Sequence, residues 1–207
     1  MVWNETLKRE IPEGWEVSKI KDLAKVYSGG TPTSSNQSYY ENGKIPWINS
    51  GELNNPFITK AENFITESGL NNSSAKYYPT GSILVALYGA TAGKVSYLGF
   101  EACSNQAVCG VVPNDSNLSI YIMYFLSSLY SYYVTLSSGS ARDNISGDTI
   151  KNTWMIIPPF NLLEKYETIA VNSISLIINK QKETEDLSAQ RNLLLPLLMN
   201  GQVTIKQ

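Results

Sequence analysis

Residues 89–95 (GATAGKV) place two glycines and a lysine after a strand-like run, which is the general plan of a phosphate-binding loop. The P-loop of nucleotide hydrolases has four residues between its glycines and a Ser or Thr after the lysine, which binds Mg²⁺. Here three residues separate the glycines, and Val95 cannot bind magnesium. The segment therefore predicts a tight glycine turn between two strands, with Lys94 exposed to solvent, rather than nucleotide hydrolysis.

Residues 158–160 (PPF) match the end of the tetrapeptide that amino-methyltransferases use. That motif needs a preceding Asn or Asp to accept a hydrogen bond from the target amino group, and Ile157 occupies this place. Proline suits the first turn of a helix. We therefore interpret this run as a rigid strand-to-helix junction and not as a methyl-transfer site.

Acid–base and metal chemistry have few candidates in this sequence. The chain has no histidine, which removes the commonest general base and metal ligand. We expect Cys103 and Cys109 to be reduced and buried. The pair Asp143 and Asp148 lacks the neighbouring basic or aromatic residues that would raise a carboxyl pKa for acid catalysis. The residue types thus argue against an enzyme, and we expect no metal and no cofactor on this chain.

Two polar loops hold residue types that bind nucleic acid. Residues 33–38 present hydroxyls and amides, which hydrogen-bond phosphates and adenine edges. Residues 140–144 present Arg142, whose guanidinium suits a guanine edge or a phosphate. The net charge of −2 argues against non-specific nucleic-acid binding, so such a role would rest on a local patch.

The elements that must position these loops predict a mixed α/β (α+β) domain. Short strands are predicted at residues 45–49, 82–88, 94–100, 107–112 and 150–157. A buried helix is predicted at residues 119–131, and short helices at residues 7–10 and 61–70. Because the elements do not alternate as regular βαβ units, the pattern does not favour a purely parallel sheet. We predict a domain over residues 1–158, followed by a helical segment over residues 159–207.

The helical segment has apolar residues at helical spacing on both sides of a polar stretch, residues 179–186. A helix from about Leu162 to Leu195 would be about 50 Å long. This is too long for its own small domain to wrap, so we expect its apolar stripe to need a second helix. The function of the chain should therefore include holding something at a distance.

Several segments, in this order and spacing, resemble the specificity subunits of type I restriction–modification systems. The resemblance covers nearly the whole chain and rests on residues 11–16 (IPEGWE), 28–32 (SGGTP), 45–47 (IPW), 79–84 (PTGSIL), 89–93 (GATAG), 105–107 (NQA), 157–159 (IPP) and 191–198 (RNLLLPLL). It implies a non-catalytic subunit in which target-recognition domains, held apart by two antiparallel helices, each read half of a bipartite DNA site. It also implies docking of modification subunits, which bring S-adenosylmethionine and methylate adenine.

This chain departs from the family pattern because it has one recognition domain and one long helix, so it resembles a half subunit. We hypothesise that two copies pair through their helices as an antiparallel coiled coil. The homodimer would then read an inverted repeat with a spacer. The apolar ends of the helix serve equally well as docking sites for the modification subunits, and the sequence does not separate these two uses.

The resemblance also assigns residues and partners. The expected DNA contacts are Thr31, Thr33, Ser34, Ser35, Asn36, Gln37, Lys94, Arg142 and Asn144. The expected dimer or partner interface consists of Leu162, Tyr166, Ile169, Leu176, Leu187, Leu194 and Leu197. The expected partners are double-stranded DNA, methyltransferase subunits and, in some systems, a restriction subunit. We expect a cytoplasmic chain without a membrane segment.

Three alternatives stay open at this point. The first is a helical adaptor that bridges proteins without touching DNA, which the acidic net charge favours. The second is an enzyme dependent on ATP or S-adenosylmethionine, which the two incomplete motifs oppose. The third is the remnant of a disrupted gene.

Overall fold

The structure is a computed structural model that describes residues 1–138 and 144–202. Its strands are β1 (Val2–Asn4), β2 (Arg9–Ile11), β3 (Glu16–Lys19), β4 (Ala24–Ser28), β5 (Ile45–Ile48), β6 (Phe57–Ile58), β7 (Phe64–Ile65), β8 (Ile83–Ala86), β9 (Val95–Leu98), β10 (Cys103–Ser104), β11 (Val108–Pro113) and β12 (Trp154–Ile157). Its α-helices are α1 (Ile20–Leu23), α2 (Glu67–Asn71), α3 (Ser119–Ser128), α4 (Tyr130–Ser138), α5 (Gly147–Lys151) and α6 (Phe160–Met199). The predicted mixed α/β domain followed by one long C-terminal helix is confirmed.

The main sheet has five strands in the order β4-β11-β8-β9-β6. The four strands β4, β11, β8 and β9 are antiparallel to their neighbours, and β6 pairs parallel to β9. A smaller sheet has the order β10-β5-β7, while β12 pairs with β3 and β1 pairs with β2. Distant parts of the sequence are therefore neighbours in the sheets, which brings their loops together.

The core of the domain is built around β8, whose four side chains are all buried. Helix α3 packs against β8 and β9. A cluster of buried side chains that includes Ile48, Tyr78 and Leu98 also packs with β8 residues. A strand that is covered on both faces reads as a continuous apolar run rather than an alternating one, which is why residues 82–88 were recognisable as a strand.

Three predicted elements are wrong. The predicted helix at residues 61–70 is mostly absent, because Phe64 and Ile65 pair with β5 and the side chain of Thr66 caps a shorter helix, α2. Residues 7–10 join a β-hairpin, β1-β2, instead of a helix. The predicted strand at residues 150–157 begins only at Trp154, because Ser146 accepts a hydrogen bond from the Thr149 N–H and starts helix α5.

The chain divides into two compact units, Met1–Ala170 and Val171–Gln207. In the first unit, α6 begins directly after Pro159, whose carbonyl accepts from the N–H groups of Leu162 and Leu163. The run of prolines is thus the strand-to-helix junction that the sequence predicted. Leu163 and Glu167 are buried, and Tyr166 meets Tyr121 edge to face.

In the second unit, α6 ends at Met199, a few residues beyond the predicted Leu195. Gly201 adopts a positive φ of 67°, its N–H bonds to the carbonyl of Leu198, and the Gln202 N–H bonds to the carbonyl of Leu197. This pair of hydrogen bonds is the Schellman motif, which satisfies the last carbonyls of a helix. Among the described residues, no helix has both the length and the apolar character needed to cross a membrane.

Candidate functional site

One end of the main sheet brings together most of the polar loops that the sequence singled out. Ser28, the last residue of β4, lies opposite Cys109, and Ala86, the last residue of β8, lies opposite Val108. Val95, the first residue of β9, lies opposite Val85. The segments that follow β4, join β8 to β9 and precede β11 therefore all leave the sheet at this end, which we call the recognition edge.

The centre of the recognition edge is the turn between β10 and β11, residues 105–107. The Gly30 N–H donates to the carbonyl of Ser104 on one side of this turn. On its other side, the Leu87 N–H donates to the carbonyl of Ala107. The turn therefore joins the loop after β4 to the β8–β9 connection, and it fixes the two loops relative to each other.

The loop after β4 carries the first group of predicted DNA contacts. The close approach at its start requires glycine, because a Cβ atom at Gly29 would collide with the backbone of Ser104. Tyr40 then donates from its hydroxyl to the carbonyl of Pro32 at 2.6 Å, which holds the loop in place. The side chains of the predicted contacts in this loop are exposed: Thr31, Thr33, Ser34, Ser35, Asn36 and Gln37.

Asn36 has a structural role in this loop. Its side-chain oxygen accepts from the Ser38 N–H at 3.2 Å and from the Ser38 hydroxyl at 2.7 Å, which starts a short 3-10 helix at Gln37. Side chains of this type favour turns because they satisfy nearby backbone donors. The hydroxyls of Thr33, Ser34 and Ser35 and the side chain of Gln37 are therefore better placed than Asn36 to contact a ligand.

The β8–β9 connection is the glycine turn that the sequence predicted. Gly89 and Gly93 have positive φ values of 84° and 81°, which favour glycine. The N–H groups of Ala92, Gly93 and Lys94 all donate to carbonyls of this turn or of β8. These amides are consequently used within the protein, whereas a phosphate-binding loop directs its amides toward the ligand.

Lys94 differs from its predicted environment, because it is half-buried rather than fully exposed. Its ammonium group lies 5.5 Å from the centre of the Tyr130 ring, within the range of a cation–π interaction. Tyr130 also lies against Gly93, where a Cβ atom would be in tight contact with the ring. Lys94 thus supplies a positive charge at the recognition edge, and the Tyr130 ring holds its side chain in place.

Asn144 joins the recognition edge through the backbone. It forms an isolated antiparallel bridge with Tyr88, and the next residue, Ile145, donates its N–H to the carbonyl of Leu87 at 2.7 Å. The Asn144 side chain is exposed. Arg142, the other predicted contact in this segment, lies outside the described residues.

The recognition edge offers hydrogen bonds and positive charge. Among the described residues, no group of three or more His, Cys, Asp or Glu side chains could hold a metal ion.

Both cysteines are free and buried, as predicted, and burial raises the pKa of each thiol to about 12. Neither thiol is therefore a nucleophile at neutral pH, since the thiolate is the reactive form.

Sequence reasoning did not single out three residues of this edge as site residues. Gln106 is exposed at the tip of the central turn, Tyr88 bridges to Asn144, and Tyr130 supports Lys94. Asn105 gave a signal for the turn, because asparagine is common at the first position of β-turns. The positions of Tyr88 and Tyr130 depend on tertiary packing and had no local signal.

The predicted interface residues lie on helix α6. In the first unit, Leu162, Tyr166 and Ile169 are exposed. In the second unit, Leu176, Leu187 and Leu194 are exposed, and Leu197 is half-buried. Large apolar side chains in such number on one helix are typical of a surface that binds another protein.

Known proteins are similar to this chain in both sequence and fold. The profile of the family described as "Type I restriction modification DNA specificity domain" matches residues 12–185. The chain is 30% identical over 197 residues to the HindI specificity subunit of Haemophilus influenzae, covering 93% of this chain and 42% of that protein. It is 31% identical over 190 residues to the MjaIX specificity subunit of Methanocaldococcus jannaschii, covering 89% of this chain and 44% of that protein.

A solved structure of the type I restriction-modification S subunit from M. genitalium has the same fold. It superposes with a TM-score of 0.63 at 16% identity, covering 92% of this chain and 46% of that one. This chain spans less than half the length of each of the three proteins.

Proposed function

The chain belongs to the type I restriction–modification DNA specificity family, and on this premise we propose that it recognises DNA for a methyltransferase complex. In this proposal, residues 1–158 form the target-recognition domain and residues 159–207 form a helix for dimerisation and for docking of modification subunits. The chain itself catalyses no reaction. S-adenosylmethionine binds to the modification subunit, which methylates adenine, and the complex acts in the cytoplasm.

The observation that carries the proposal is the convergence of polar loops at the recognition edge. The loop after β4 and the β8–β9 connection are far apart in sequence but are joined through the turn at residues 105–107, and the segment at Asn144 bonds to the β8–β9 connection. Hydroxyls, amides and one lysine are the side chains that contact phosphates and base edges. A rigid sheet supports these loops, which suits a site that must hold a fixed register on DNA.

The small number of positive charges fits a domain that works together with other subunits. Phosphate contacts supply most of the non-specific affinity of DNA-binding proteins. With a net charge of −2, this chain provides little of that affinity alone. We therefore assign most phosphate contacts to the modification subunits, and we assign a few directional contacts to the recognition edge.

The pattern of apolar residues on α6 supports a homodimer. The predicted interface residues are separated by steps of three, four, seven or eleven residues, which together follow a single heptad repeat. The exposed fractions of Leu162 and Leu187 are 47% and 57%, which is high for leucine on a helix. A second copy that runs antiparallel would cover both apolar ends of the repeat with the opposite ends of its own helix.

Pairing of two copies gives one recognition domain at each end of the helix pair. The two domains are identical and related by a two-fold axis, so each reads the same half-site in inverted orientation. Such a dimer would match the relatives in total length, because each relative is somewhat more than twice as long as the matched segment. The target is therefore an inverted repeat interrupted by a spacer.

Methylome sequencing of cells that express this chain with its modification subunit tests the proposal. We expect methylated adenines at a single interrupted inverted repeat. A variant in which the residues with exposed loop hydroxyls and Gln37 are replaced by alanine should abolish methylation at this motif. Methylation that does not depend on this chain, or no methylation at all, would contradict the proposal and favour a helical adaptor that does not touch DNA.

A further inference from the structure

The turn at the centre of the recognition edge is held by several hydrogen bonds. Its ends are closed by the Val108 N–H, which donates to the carbonyl of Asn105 at 3.2 Å. The Asn105 side-chain oxygen accepts from the Ala107 N–H at 3.1 Å, and its amide nitrogen donates to the Asn49 side chain at 3.0 Å. The backbone N–H of Asn105 also donates to the carbonyl of Ile48. Both the backbone and the side chain of Asn105 thus take part in fixing the turn.

This turn offers one exposed side chain to a ligand. Ala107 is buried, Asn105 is half-buried and occupied, and Gln106 is exposed. A fixed backbone places the Gln106 carboxamide with little loss of conformational freedom when it binds, because only its own side-chain torsions must be ordered. Gln106 is therefore positioned as a contact residue, although it is uncharged.

The Gln106 carboxamide has more free capacity to donate hydrogen bonds than to accept them. Thr31 donates from its hydroxyl to the side-chain oxygen of Gln106. Among the described residues, the amide nitrogen of Gln106 has no protein acceptor. Reading adenine requires a side-chain amide to accept from N6 and to donate to N7 at the same time. The Thr31 hydroxyl occupies one of the two lone pairs of the Gln106 oxygen and restricts the orientation of the carboxamide, whereas its NH2 group keeps two donors for a ligand. Gln106 is therefore better matched to a partner that accepts hydrogen bonds than to an adenine edge.

We propose that Gln106 donates a hydrogen bond to a DNA phosphate oxygen and anchors the domain on the duplex without reading a base. This inference rests on the proposed function. A guanine edge also offers acceptors, but the turn is the shortest connection of the recognition edge. Two longer segments flank it, the β8–β9 connection at residues 87–94 and the loop after β4 at residues 29–37. The longer segments are better suited to enter a groove of the DNA, whereas Gln106 on the short turn is better placed to contact the DNA backbone.

Binding measurements on the full chain in complex with its modification subunit test this assignment. The probes are a duplex that carries the methylated motif and a duplex of the same length with random sequence. We expect Gln106→Ala to weaken binding to both duplexes by the same factor, about fivefold. We expect Gln106→Glu to weaken both more strongly, because it places a negative charge at a phosphate. The salt dependence of binding should be the same for Gln106→Ala as for the wild type, since the substitution removes no charge.

Asn114→Ala is the matched control. Its amide is also exposed, but it follows β11 at the opposite end of the sheet and donates to the carbonyl of Asp22. This variant should bind like the wild type. A loss confined to the motif duplex would show that Gln106 reads a base, and unchanged binding by both Gln106 variants would show that it makes no contact; either result overturns the inference but leaves the proposed function standing. If the wild-type complex binds neither duplex, the proposed function itself fails.

Discussion

The ammonium group of Lys94 is a positive charge at the recognition edge, and its position near the Tyr130 ring restricts its movement. A lysine that contacts a phosphate contributes to affinity on every sequence, and it releases about one counterion when DNA binds. We expect Lys94→Ala to weaken binding to motif and random duplexes alike. The slope of log K against log salt should become shallower by about 0.9. Titrations at several salt concentrations measure both effects.

Lys25→Ala provides the control for this measurement. Lys25 is exposed near the start of β4, at the end of the sheet opposite the recognition edge, where it pairs with Val112. Its removal changes the net charge by the same amount. If Lys25→Ala and Lys94→Ala reduce affinity equally, Lys94 acts only through net charge and makes no contact.

Glu167 is a second residue whose chemistry departs from the ordinary. It is buried near the start of α6, and one carboxylate oxygen accepts from the Ile120 N–H at 3.3 Å. Its other oxygen is buried without a hydrogen-bond partner among the described residues. Burial, together with a smaller contribution from the charge of Asp115, raises the pKa of Glu167 to about 7, and the hydrogen bond from the Ile120 N–H opposes this shift.

The raised pKa of Glu167 makes the stability of the domain depend on pH. Between the ordinary pKa of 4.5 and the folded pKa of about 7, the folded state binds more protons than the unfolded state. The contribution of Glu167 to stability is therefore fully present below pH 4.5 and is lost as the pH rises through 7. We expect Glu167→Gln to raise the free energy of unfolding at pH 8 by about 1–2 kcal/mol and to have less effect at pH 5. Thermal melts at both pH values measure the difference.

Glu164→Gln is the control, because Glu164 lies one turn earlier on α6 and is exposed. It should leave the pH dependence of the wild type unchanged. An equal effect of the two variants at pH 8 would mean that the overall charge, and not the burial of Glu167, sets the pH dependence.

At the scale of elements, local sequence was informative where a strand or helix is determined by its own residues. The strand β8 and the helix α3 were predicted because a run of apolar residues and a helical spacing needed no distant partner to be recognised. The predicted helix at residues 61–70 failed because Phe64 and Ile65 gain more from pairing with β5 than from helical bonds. Pairing partners that lie far apart in sequence leave no local signal.

Strand β11 shows how tightly the sheet is packed. A Cβ atom at Gly110 would collide with the ring of Tyr78. This ring is fully buried and stacks on Tyr27 with a centroid distance of 5.0 Å, and the hydroxyl of Tyr78 accepts from the Ser104 hydroxyl, so the side chain has little freedom to move. We expect Gly110→Ala to lower the free energy of unfolding by about 1–3 kcal/mol, as overpacking does. Chemical denaturation measures this loss.

Gly51→Ala is the matched substitution in open space, since no atom lies within 4 Å of the added Cβ. It should be neutral or slightly stabilising, because alanine restricts the unfolded chain. A Gly110→Ala variant as stable as Gly51→Ala would mean that Tyr78 moves away at no cost, which would contradict the role assigned to its packing.

At the scale of the whole molecule, the candidate site depends on the strand order β4-β11-β8-β9-β6. The sequence indicated polar loops at residues 33–38 and 140–144 and a glycine turn at residues 89–93, but not that the first loop, the glycine turn and Asn144 meet. Their convergence requires β11 to lie between β4 and β8, which long-range pairing determines. For the same reason Gln106 was not predicted as a site residue: it becomes a central residue only when the loops on both sides of it are known.

The proposed dimer makes the sharpest prediction at this scale. If α6 pairs with α6 of a second copy, an aspartate at Leu194 would be buried against apolar side chains, at a high cost in free energy. We expect the wild-type chain to be a dimer at micromolar concentration in analytical ultracentrifugation, and Leu194→Asp to weaken the dimer at least about tenfold. Leu195→Asp introduces the same charge at an equally exposed neighbour outside the heptad stripe, so this variant should remain a dimer. A wild-type chain that sediments as a monomer without its partners would assign the exposed leucines to the modification subunits, and the inverted-repeat target would then require those subunits to bring two chains together.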